Sequence, residues 1–360
     1  MKAENGKAQV YFAPLGAAST AEEMAAAGRR LWDAMRAKKI VPKHGLVAIK
    51  QHFGEQGGEN FLPPAVARAM GECVRAAGGK PFATDSNTLY NGARANAVAH
   101  LELAREHGFT HETLGFPVII ADGLKGESQV THDGRGGMLK KVFLAGAGSM
   151  ADAAVVLTHV TGHLVAGIGA SIKNVAMGFA GRAGKLQQHS AAQPVFTHSK
   201  CVACGRCAKH CPAAAIDIKE YAELNVPRCI GCGECYAFCP HGAVSFEWSS
   251  TSDNLQQKMA EYCLAFHEEK QGRVIYINFM TRVTKNCDCL GKKEKALPDL
   301  GVVASFDPVA ADAAAMNMLN EAHGTDVFRD FWPQYNPRTQ LEHGEKIGLG
   351  TTRYELVRLP

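Results

Sequence analysis

The sequence predicts an α/β domain with a mostly parallel sheet and helices on both faces, interrupted by an inserted cysteine-rich module. Short β-rich runs alternate with longer helical runs before residue 195, and the alternation resumes after residue 248. The segment between them holds eight of the 12 cysteines. We therefore expect residues 1–194 and 249–360 to form one α/β domain and residues 195–248 to be an insertion.

Each element follows from its local pattern. The β-rich runs before the insertion predict strands at 45–53, 80–87, 117–123, 140–146 and 153–160. The helical runs between them predict helices at 20–38, 64–77 and 93–107. After the insertion we expect a helix at 254–269, strands at 273–283 and 301–306, and a helix at 308–323. Asp307 stands directly before Pro308 and is expected to cap that last helix.

Composition excludes several classes of function. The formal net charge is +4 and the basic residues are spread out, which gives little support to nucleic-acid binding. The N-terminal stretch has no apolar signal-like region, and no run approaches the roughly 18 apolar residues of a membrane span. GAGSM at 146–150 precedes a strand rather than a helix, so it is not a dinucleotide-binding turn. We expect a cytoplasmic protein with no membrane or nucleic-acid partner, whose cysteines are metal ligands before disulfides.

The insertion repeats one cysteine pattern, CxxCxxCxxxCP. The repeated cysteines are Cys201, Cys204, Cys207 and Cys211, then Cys229, Cys232, Cys235 and Cys239. In bacterial ferredoxins, three cysteines of each such run bind one 4Fe–4S cluster and the fourth binds the other cluster. The pattern thus predicts a two-cluster ferredoxin-type module. One cluster is assigned to Cys201, Cys204, Cys207 and Cys239, and the other to Cys229, Cys232, Cys235 and Cys211.

The ligand set predicts electron transfer rather than chemistry at the clusters. All eight positions are cysteine, so no iron is left open to a substrate. Gly205, Gly231 and Gly233 allow the backbone to curl around each cluster. Zinc sites and disulfides are the rival interpretations, although two quartets of identical spacing fit zinc poorly. Exposed clusters would also suit an oxygen-poor setting.

Polar residues follow the predicted strands where each strand ends. They are Lys50, His52, Asp85, Asn87, Asp122, His159, His163, Cys287, Asp288 and Cys289. Ligands of open α/β sheets bind outside the carboxyl ends of the strands, so these residues are expected to converge on one site. The alternative is that strand-to-helix loops are simply polar.

A glycine-rich stretch, THVTGHLVAGIGASIKNVAMG, supplies the candidate catalytic residues. They are His159, His163, Lys173 and Lys185, the last lying just beyond the stretch. Such loops bring the backbone close to a ligand. The histidines could be metal ligands, proton donors or, with the lysines, a clamp for an anion. The alternative is that they are structural loop residues.

The NCDC stretch at 286–289 is a second candidate site. Residues two apart on an extended backbone point to the same face. Cys287 and Cys289 could therefore bind an additional metal ion or cycle as redox thiols. The alternative is a pair of buried core thiols.

Several motifs together resemble one family. They are IKQHFGEQG, TDSNTLYNGAR, IIADG, THVTGH with GASIKNVAMG, the double cysteine run, NCDC and SFDPVAADAA. The chain resembles the domain of unknown function 362 family, in the subgroup with an inserted 4Fe–4S module, from about residue 40 to residue 325. The resemblance implies iron–sulfur cluster binding by the eight cysteines. It implies no reaction.

Three functions are consistent with the sequence. The first is a redox protein whose two clusters relay electrons between a partner protein and a site in the α/β domain that binds a small anionic substrate. The second is a ferredoxin-like electron carrier or docking module without its own active site. The third is a non-redox, metal-dependent enzyme with structural clusters. The polar strand ends favour the first, because a bare carrier needs no such platform.

Overall fold

The computed structural model describes residues 6–90, 92–189, 194–211, 213–229, 233–245 and 251–360. The strands are β1 (Ala8–Pro14), β2 (Leu46–Lys50), β3 (Lys80–Asp85), β4 (Val118–Ile120), β5 (Gln129–Asp133), β6 (Lys141–Ala145), β7 (Ala153–His159), β8 (Thr161–His163), β9 (Gly167–Gly169), β10 (Val195–Phe196), β11 (Ile216–Ile218), β12 (Ala222–Leu224), β13 (Val244–Ser245), β14 (Val274–Met280), β15 (Gly301–Ser305) and β16 (Tyr354–Arg358). The α-helices are α1 (Ala21–Ala34), α2 (Pro64–Ala76), α3 (Ala97–Glu106), α4 (His111–Leu114), α5 (Gly146–Met150), α6 (Ser171–Gly178), α7 (Arg182–His189), α8 (Arg206–Lys209), α9 (Glu234–Ala237), α10 (Ser252–Glu269), α11 (Pro308–His323), α12 (Val327–Phe331) and α13 (Thr339–Lys346). Short 3₁₀ helices lie at Ala37–Ile40, His198–Lys200, Val226–Arg228 and Asp288–Leu290.

A mostly parallel sheet of eight strands forms the centre of the fold, in the order β16-β1-β15-β14-β7-β2-β3-β4. The five strands from β14 to β4 run parallel to one another. β15 is antiparallel to both of its neighbours, and β16 is parallel to β1. The α/β class and the mostly parallel sheet predicted from the sequence are confirmed.

Both faces of this sheet are buried. Along β14, Tyr276 and Met280 enter a core shared with α6, α10 and α11, whereas Ile277 and Phe279 enter a second core with α1 and α2. Alternate side chains of a strand point to opposite faces, so one apolar strand supplies both cores. The predicted layer of helices on each face is therefore present. No helix in the described part of the chain is long and apolar enough to cross a membrane.

The strand assignments need three corrections. The predicted strand at 140–146 is β6, which lies outside the central sheet and pairs antiparallel with β5. The predicted strand at 301–306 is β15, the one reversed strand of the central sheet in the described chain. The edge strand β16 and its neighbour β1 were not predicted. An alternating pattern has the same period in a parallel strand, an antiparallel strand and a hairpin, so it does not specify the partner.

Helix boundaries follow local capping. α1 ends before Arg36, which adopts a left-handed backbone with φ 51°. α3 begins later than predicted, because the Asn96 side chain accepts a hydrogen bond from the backbone N–H of Ala99 and so caps it. α11 has the predicted bounds, and Asp307 caps it by accepting from the N–H of Ala310 at 3.0 Å. That capping role is confirmed.

The two ends of the cysteine-rich segment lie side by side. Its first strand, β10, pairs antiparallel with its last strand, β13, and β11 pairs with β12 between them. Each cysteine run continues into a one-turn helix that follows a left-handed glycine. Those glycines are Gly205 before α8 and Gly233 before α9, with φ of 73° and 78°. Only glycine adopts this backbone without strain, as the repeated loop requires.

Candidate functional site

A cavity of about 400 Å³ opens at the carboxyl ends of the central strands. Lys50 ends β2, Asp85 ends β3 and His159 ends β7, and all three side chains line it. His163, Lys173, Lys185, Cys287 and Cys289 line the same cavity. The structure therefore brings the candidate residues of both stretches together at the predicted edge of the sheet.

The floor of the cavity is a buried ion pair. Lys50 is 1% exposed, and its Nζ lies 3.1 Å from Asp85 Oδ1. The same nitrogen donates to Asn174 Oδ1 at 2.7 Å, while the Asn174 amide donates to the Leu157 carbonyl of β7. Burial alone would raise the pKa of Asp85, but the charge of Lys50 holds it well below its usual range. Lys50, Asp85 and Asn174 already have ion-pair or hydrogen-bond partners within the protein. They therefore shape the cavity and are not free to bind a ligand.

Arg94 organises one wall. Its Nε donates to Glu55 Oε2 at 2.9 Å, and its Nη1 lies 2.8 Å from His52 Nε2. Tyr90 Oη accepts from Arg94 Nη2 and donates to the same Glu55 oxygen. The wall reaches the NCDC loop, because Cys289 Sγ lies 3.4 Å from His52 Nε2. Arg94 thus holds Glu55, Tyr90 and His52 in place, and His52 contacts Cys289.

His159 anchors the NCDC loop. Its Nδ1 lies 2.9 Å from Asp288 Oδ2, and its Nε2 lies 2.8 Å from the Thr281 carbonyl oxygen. Both ring nitrogens face acceptors, so both must carry protons. Burial alone would lower the pKa of His159, but the Asp288 carboxylate raises it above its ordinary value. Of the candidate catalytic residues, His159 is therefore committed to holding the loop.

The two cysteines of the loop differ in protonation. The hydrogen bond between them and burial raise the pKa of the Cys287 thiol well above its ordinary value. The hydrogen bond from Cys287, with the charge of Lys173, holds the pKa of Cys289 well below its ordinary value, against the effect of burial. The pair is therefore a thiolate, Cys289, beside a thiol that donates to it, as in redox dithiols.

The two candidate lysines have different surroundings. Lys185 Nζ donates to the Ala180 carbonyl at 2.6 Å and to Ser86 Oγ at 2.8 Å, and lies 3.5 Å from Asp122 Oδ2. Lys173 is half-buried, and within the described residues its ammonium has no hydrogen-bond or ion-pair partner. Burial alone would lower the pKa of Lys173, but the negative charge of the Cys287–Cys289 pair and that of Asp288 raise it. Lys173 is the cation available to a ligand.

His163 presents one N–H to the cavity. Its Nδ1 accepts from the backbone N–H groups of Val165 at 3.3 Å and Ala166 at 3.0 Å, so the proton of the neutral ring lies on Nε2. Burial and the charge of Lys173 lower the pKa of His163 well below its ordinary value. His189 on α7 is similar, since burial lowers its pKa to about 4. Both rings are therefore neutral at neutral pH.

Two small cavities lie within the cysteine-rich segment, and each collects cysteines from both runs. The first is lined by Cys201, Cys204, Cys207 and Cys239. The second is lined by Cys211, Cys229 and Cys235. Cys232, the remaining predicted ligand of the second set, lies outside the described residues, as does Pro212. The described cysteines thus group across the runs in the crossed pattern assigned from the sequence.

The sulfur atoms in these cavities accept backbone hydrogen bonds. The N–H of Ala222 donates to Cys201 Sγ, that of Ala215 to Cys211 Sγ, and that of Ala243 to Cys239 Sγ, at 3.2–3.3 Å. All 11 described cysteines are free of disulfides. Among the described residues, no three His, Cys, Asp or Glu side chains are placed to hold a single metal ion. Backbone N–H groups that donate to cysteine sulfur atoms are also found around iron–sulfur clusters, whose potentials they help to set.

Helix α7 lines the large cavity and packs against the second cysteine run. Lys185 and His189 on α7 line the large cavity. The intervening Leu186 contacts Gly233, and Gly233 lines the second cysteine cavity. Beside this contact, Gln129 Nε2 donates to Glu234 Oε1 at 2.6 Å. One helix therefore lines the large cavity and contacts a residue that lines the second cysteine cavity.

Sequence reasoning missed Glu55, Tyr90 and Arg94. Each lies in a loop a few residues beyond a strand-end residue, within IKQHFGEQG or TDSNTLYNGAR. The clue was available, because the loop that follows a strand end stays at that edge of the sheet. The contacts among the three were not predictable, since they join loops that are far apart along the chain.

Fold and cavity together define an α/β protein with a polar site at the carboxyl edge of its sheet. Residues 47–317 match the model of the family described as "Domain of unknown function (DUF362)", and the chain belongs to this family. The resemblance to this family is thereby confirmed, while the subgroup with an inserted 4Fe–4S module stays a prediction.

The chain is similar to the lactate racemase apoprotein from Thermoanaerobacterium thermosaccharolyticum, with 12% sequence identity and a TM-score of 0.45 over 89% of this chain. It spans 59% of the length of that protein. No curated protein matches its sequence.

Proposed function

We propose that the chain is an iron–sulfur redox protein in which two 4Fe–4S clusters relay electrons to or from the large cavity, where a small anionic substrate binds. One observation carries the proposal. α7 presents Lys185 and His189 to the cavity and packs Leu186 against Gly233 of the second cysteine run. Electron transfer rates fall steeply with distance, and a helix that lines the large cavity and packs against the second cysteine run supports transfer between them.

The cysteines supply the cluster sites. When bound, the clusters would exchange single electrons at potentials set by their surroundings. Cys201, Cys204, Cys207 and Cys239 would hold the first. Cys211, Cys229, Cys232 and Cys235 would hold the second. The backbone hydrogen bonds to Cys201, Cys211 and Cys239 would stabilise the negative charge of the bound clusters.

Lys173 selects the charge of the substrate. Its ammonium is the unpartnered cation of the described cavity, and a carboxylate or oxyanion is the group that satisfies it. Leu157, Leu164, Met177 and Met259 line the same space, so the rest of the substrate is expected to be apolar. The cavity of about 400 Å³ fits a small molecule.

The neighbouring residues handle protons and thiol chemistry. A substrate that is reduced by two electrons takes up two protons, while a one-electron carrier protein is oxidised twice. The Cys287 thiol and the Nε2–H of His163 are protonated groups in the same cavity as Lys173, and they would supply these protons. The Cys289 thiolate adds a nucleophile to the site. His159 positions this pair through Asp288.

Reoxidation of the reduced protein tests this function. The chain, reduced anaerobically with dithionite and freed of excess reductant, is mixed with small anions that carry a reducible group: 2-oxo acids, enoates and carboxylated disulfides. We expect one class to speed reoxidation in the wild type and to act at least about tenfold more slowly on Lys173→Met, since a charged hydrogen bond is lost. Lys292→Met, an exposed lysine near the same loop, is the matched control. If every compound acts equally on all three proteins, the chain is an electron carrier without an active site.

A further inference from the structure

The surface over the first cysteine cavity is basic and exposed. We call Lys200, Val202, Cys204, Arg206 and Lys209 the docking patch. All five are exposed, and Val202 and Arg206 line the cavity itself. Cys204 is the one exposed cysteine of the described chain. The first cluster site thus comes to the protein surface under a group of cations.

The cations of the docking patch are unpaired. Residues 194–216 contain no aspartate or glutamate. Within the described residues, Lys200, Arg206 and Lys209 make no ion pair, whereas exposed cations elsewhere do, such as Lys219 with Glu223. Unpaired like charges repel one another, so a cluster of them is kept at some cost in stability. A partner of opposite charge would offset that cost.

The second cysteine run shows that the cluster loop does not need the charges of Arg206 and Lys209. Arg206 and Glu234 occupy equivalent places, each five residues after the first cysteine of its run. Glu234 is buried and accepts from Gln129, so it faces the α/β domain. Lys209 corresponds to Ala237. The two cysteine runs have therefore diverged. The second run faces the α/β domain, and the first run faces solvent.

We propose that the docking patch binds an acidic one-electron carrier protein. The first cluster would then exchange electrons with this partner, and the second would exchange them with the large cavity. This rests on the proposed function. Exposed Val202 supplies an apolar contact within a rim of cations, a common arrangement in transient interfaces. In the reducing direction, the reduced carrier would give up one electron to the cluster that Cys201, Cys204, Cys207 and Cys239 would hold, and no bond or proton would move.

Salt-dependent binding tests the docking patch. The probes are an acidic flavodoxin and an acidic two-iron ferredoxin, titrated into the iron-loaded chain at about 50 mM and about 300 mM NaCl. We expect at least one probe to bind the wild type and to weaken about tenfold at the higher salt. The triple variant Lys200→Glu/Arg206→Glu/Lys209→Glu should lose at least about tenfold in affinity at low salt, and its reduction by the carrier should slow equally.

A second triple variant is the matched control. Lys38→Glu/Lys43→Glu/Lys80→Glu makes the same change in net charge at exposed lysines around the amino ends of β2 and β3. It should bind within about twofold of wild type. Reduction by the small dye methyl viologen should be equal in all proteins. If the glutamate triple variant loads no iron, Lys200→Gln/Arg206→Gln/Lys209→Gln takes its place.

The outcomes separate the two proposals. Undetectable or salt-independent binding to loaded wild type, or equal losses in both triple variants, would overturn the docking patch and leave the cluster relay standing. A wild type that takes up no iron under anaerobic reconstitution would overturn the proposed function itself.

Discussion

Replacing Lys173 by methionine is expected to abolish the preference of Cys289 for an anionic reagent. Iodoacetate and iodoacetamide alkylate the same thiolate but differ in charge. In the wild type the Lys173 ammonium attracts iodoacetate, so the ratio of the two rates should exceed that of Lys173→Met by about tenfold or more. Mass spectrometry of the Cys289 peptide measures both rates. This reports on anion binding without knowledge of the substrate.

The pH dependence of the same reaction should change as well. The hydrogen bond from Cys287 and the charge of Lys173 hold the pKa of Cys289 well below its usual range, so alkylation should persist below neutral pH. Loss of the cation removes stabilisation of the thiolate and moves the alkylation profile to higher pH. Lys292→Met should leave both ratio and profile unchanged. Identical profiles in Lys173→Met and wild type would show that Lys173 does not act on the site.

Paired substitutions of the cysteines should reveal the crossed ligand sets. Cys204→Ser, Cys211→Ser and Cys239→Ser are each expected to lose one cluster, leaving about four of about eight irons per chain. Because Cys204 and Cys239 line one cavity, their double variant should still keep about four. Cys204 and Cys211 line different cavities, so their double variant should keep none. Anaerobic iron and sulfide analysis counts the clusters.

The opposite pattern would contradict the assignment. If Cys204→Ser/Cys211→Ser kept half of the iron and Cys204→Ser/Cys239→Ser kept none, each run would hold its own cluster. A Cys73→Ser control, a cysteine partly buried on α2 away from both cavities, should keep all of the iron.

The sequence predicted the place of the site better than its contacts. Lys50, Asp85 and His159 could be assigned to one edge because the carboxyl ends of parallel strands meet there. Their individual roles could not, since a role depends on what each nitrogen or oxygen meets. His159 looked like a proton donor, yet both its nitrogens face acceptors. Lys173 and Lys185 looked alike, yet only Lys185 has partners among the described residues.

The same limit applies to the fold. Residues 141–145 and 153–159 are both apolar runs, but the first pairs in a hairpin and the second lies at the centre of the sheet. Pairing depends on contacts that are distant in sequence, which local pattern does not contain. The cysteine spacing was more informative than the strand patterns. A cluster-binding loop fixes the spacing of its cysteines within a few residues, and the crossed grouping is a property of the repeated motif.

Anaerobic metal and sulfide analysis, with electron paramagnetic resonance after dithionite reduction, tests the central claim most directly. It should be made on the wild type and on Cys287→Ser/Cys289→Ser. We predict about eight irons and eight sulfides in both proteins, the same spectra of two reduced clusters, and no other metal. Zinc in place of iron, or no bound metal, would contradict the electron relay. A further metal that is present in the wild type and lost from the double variant would show that the cysteine pair is a metal site rather than a redox dithiol.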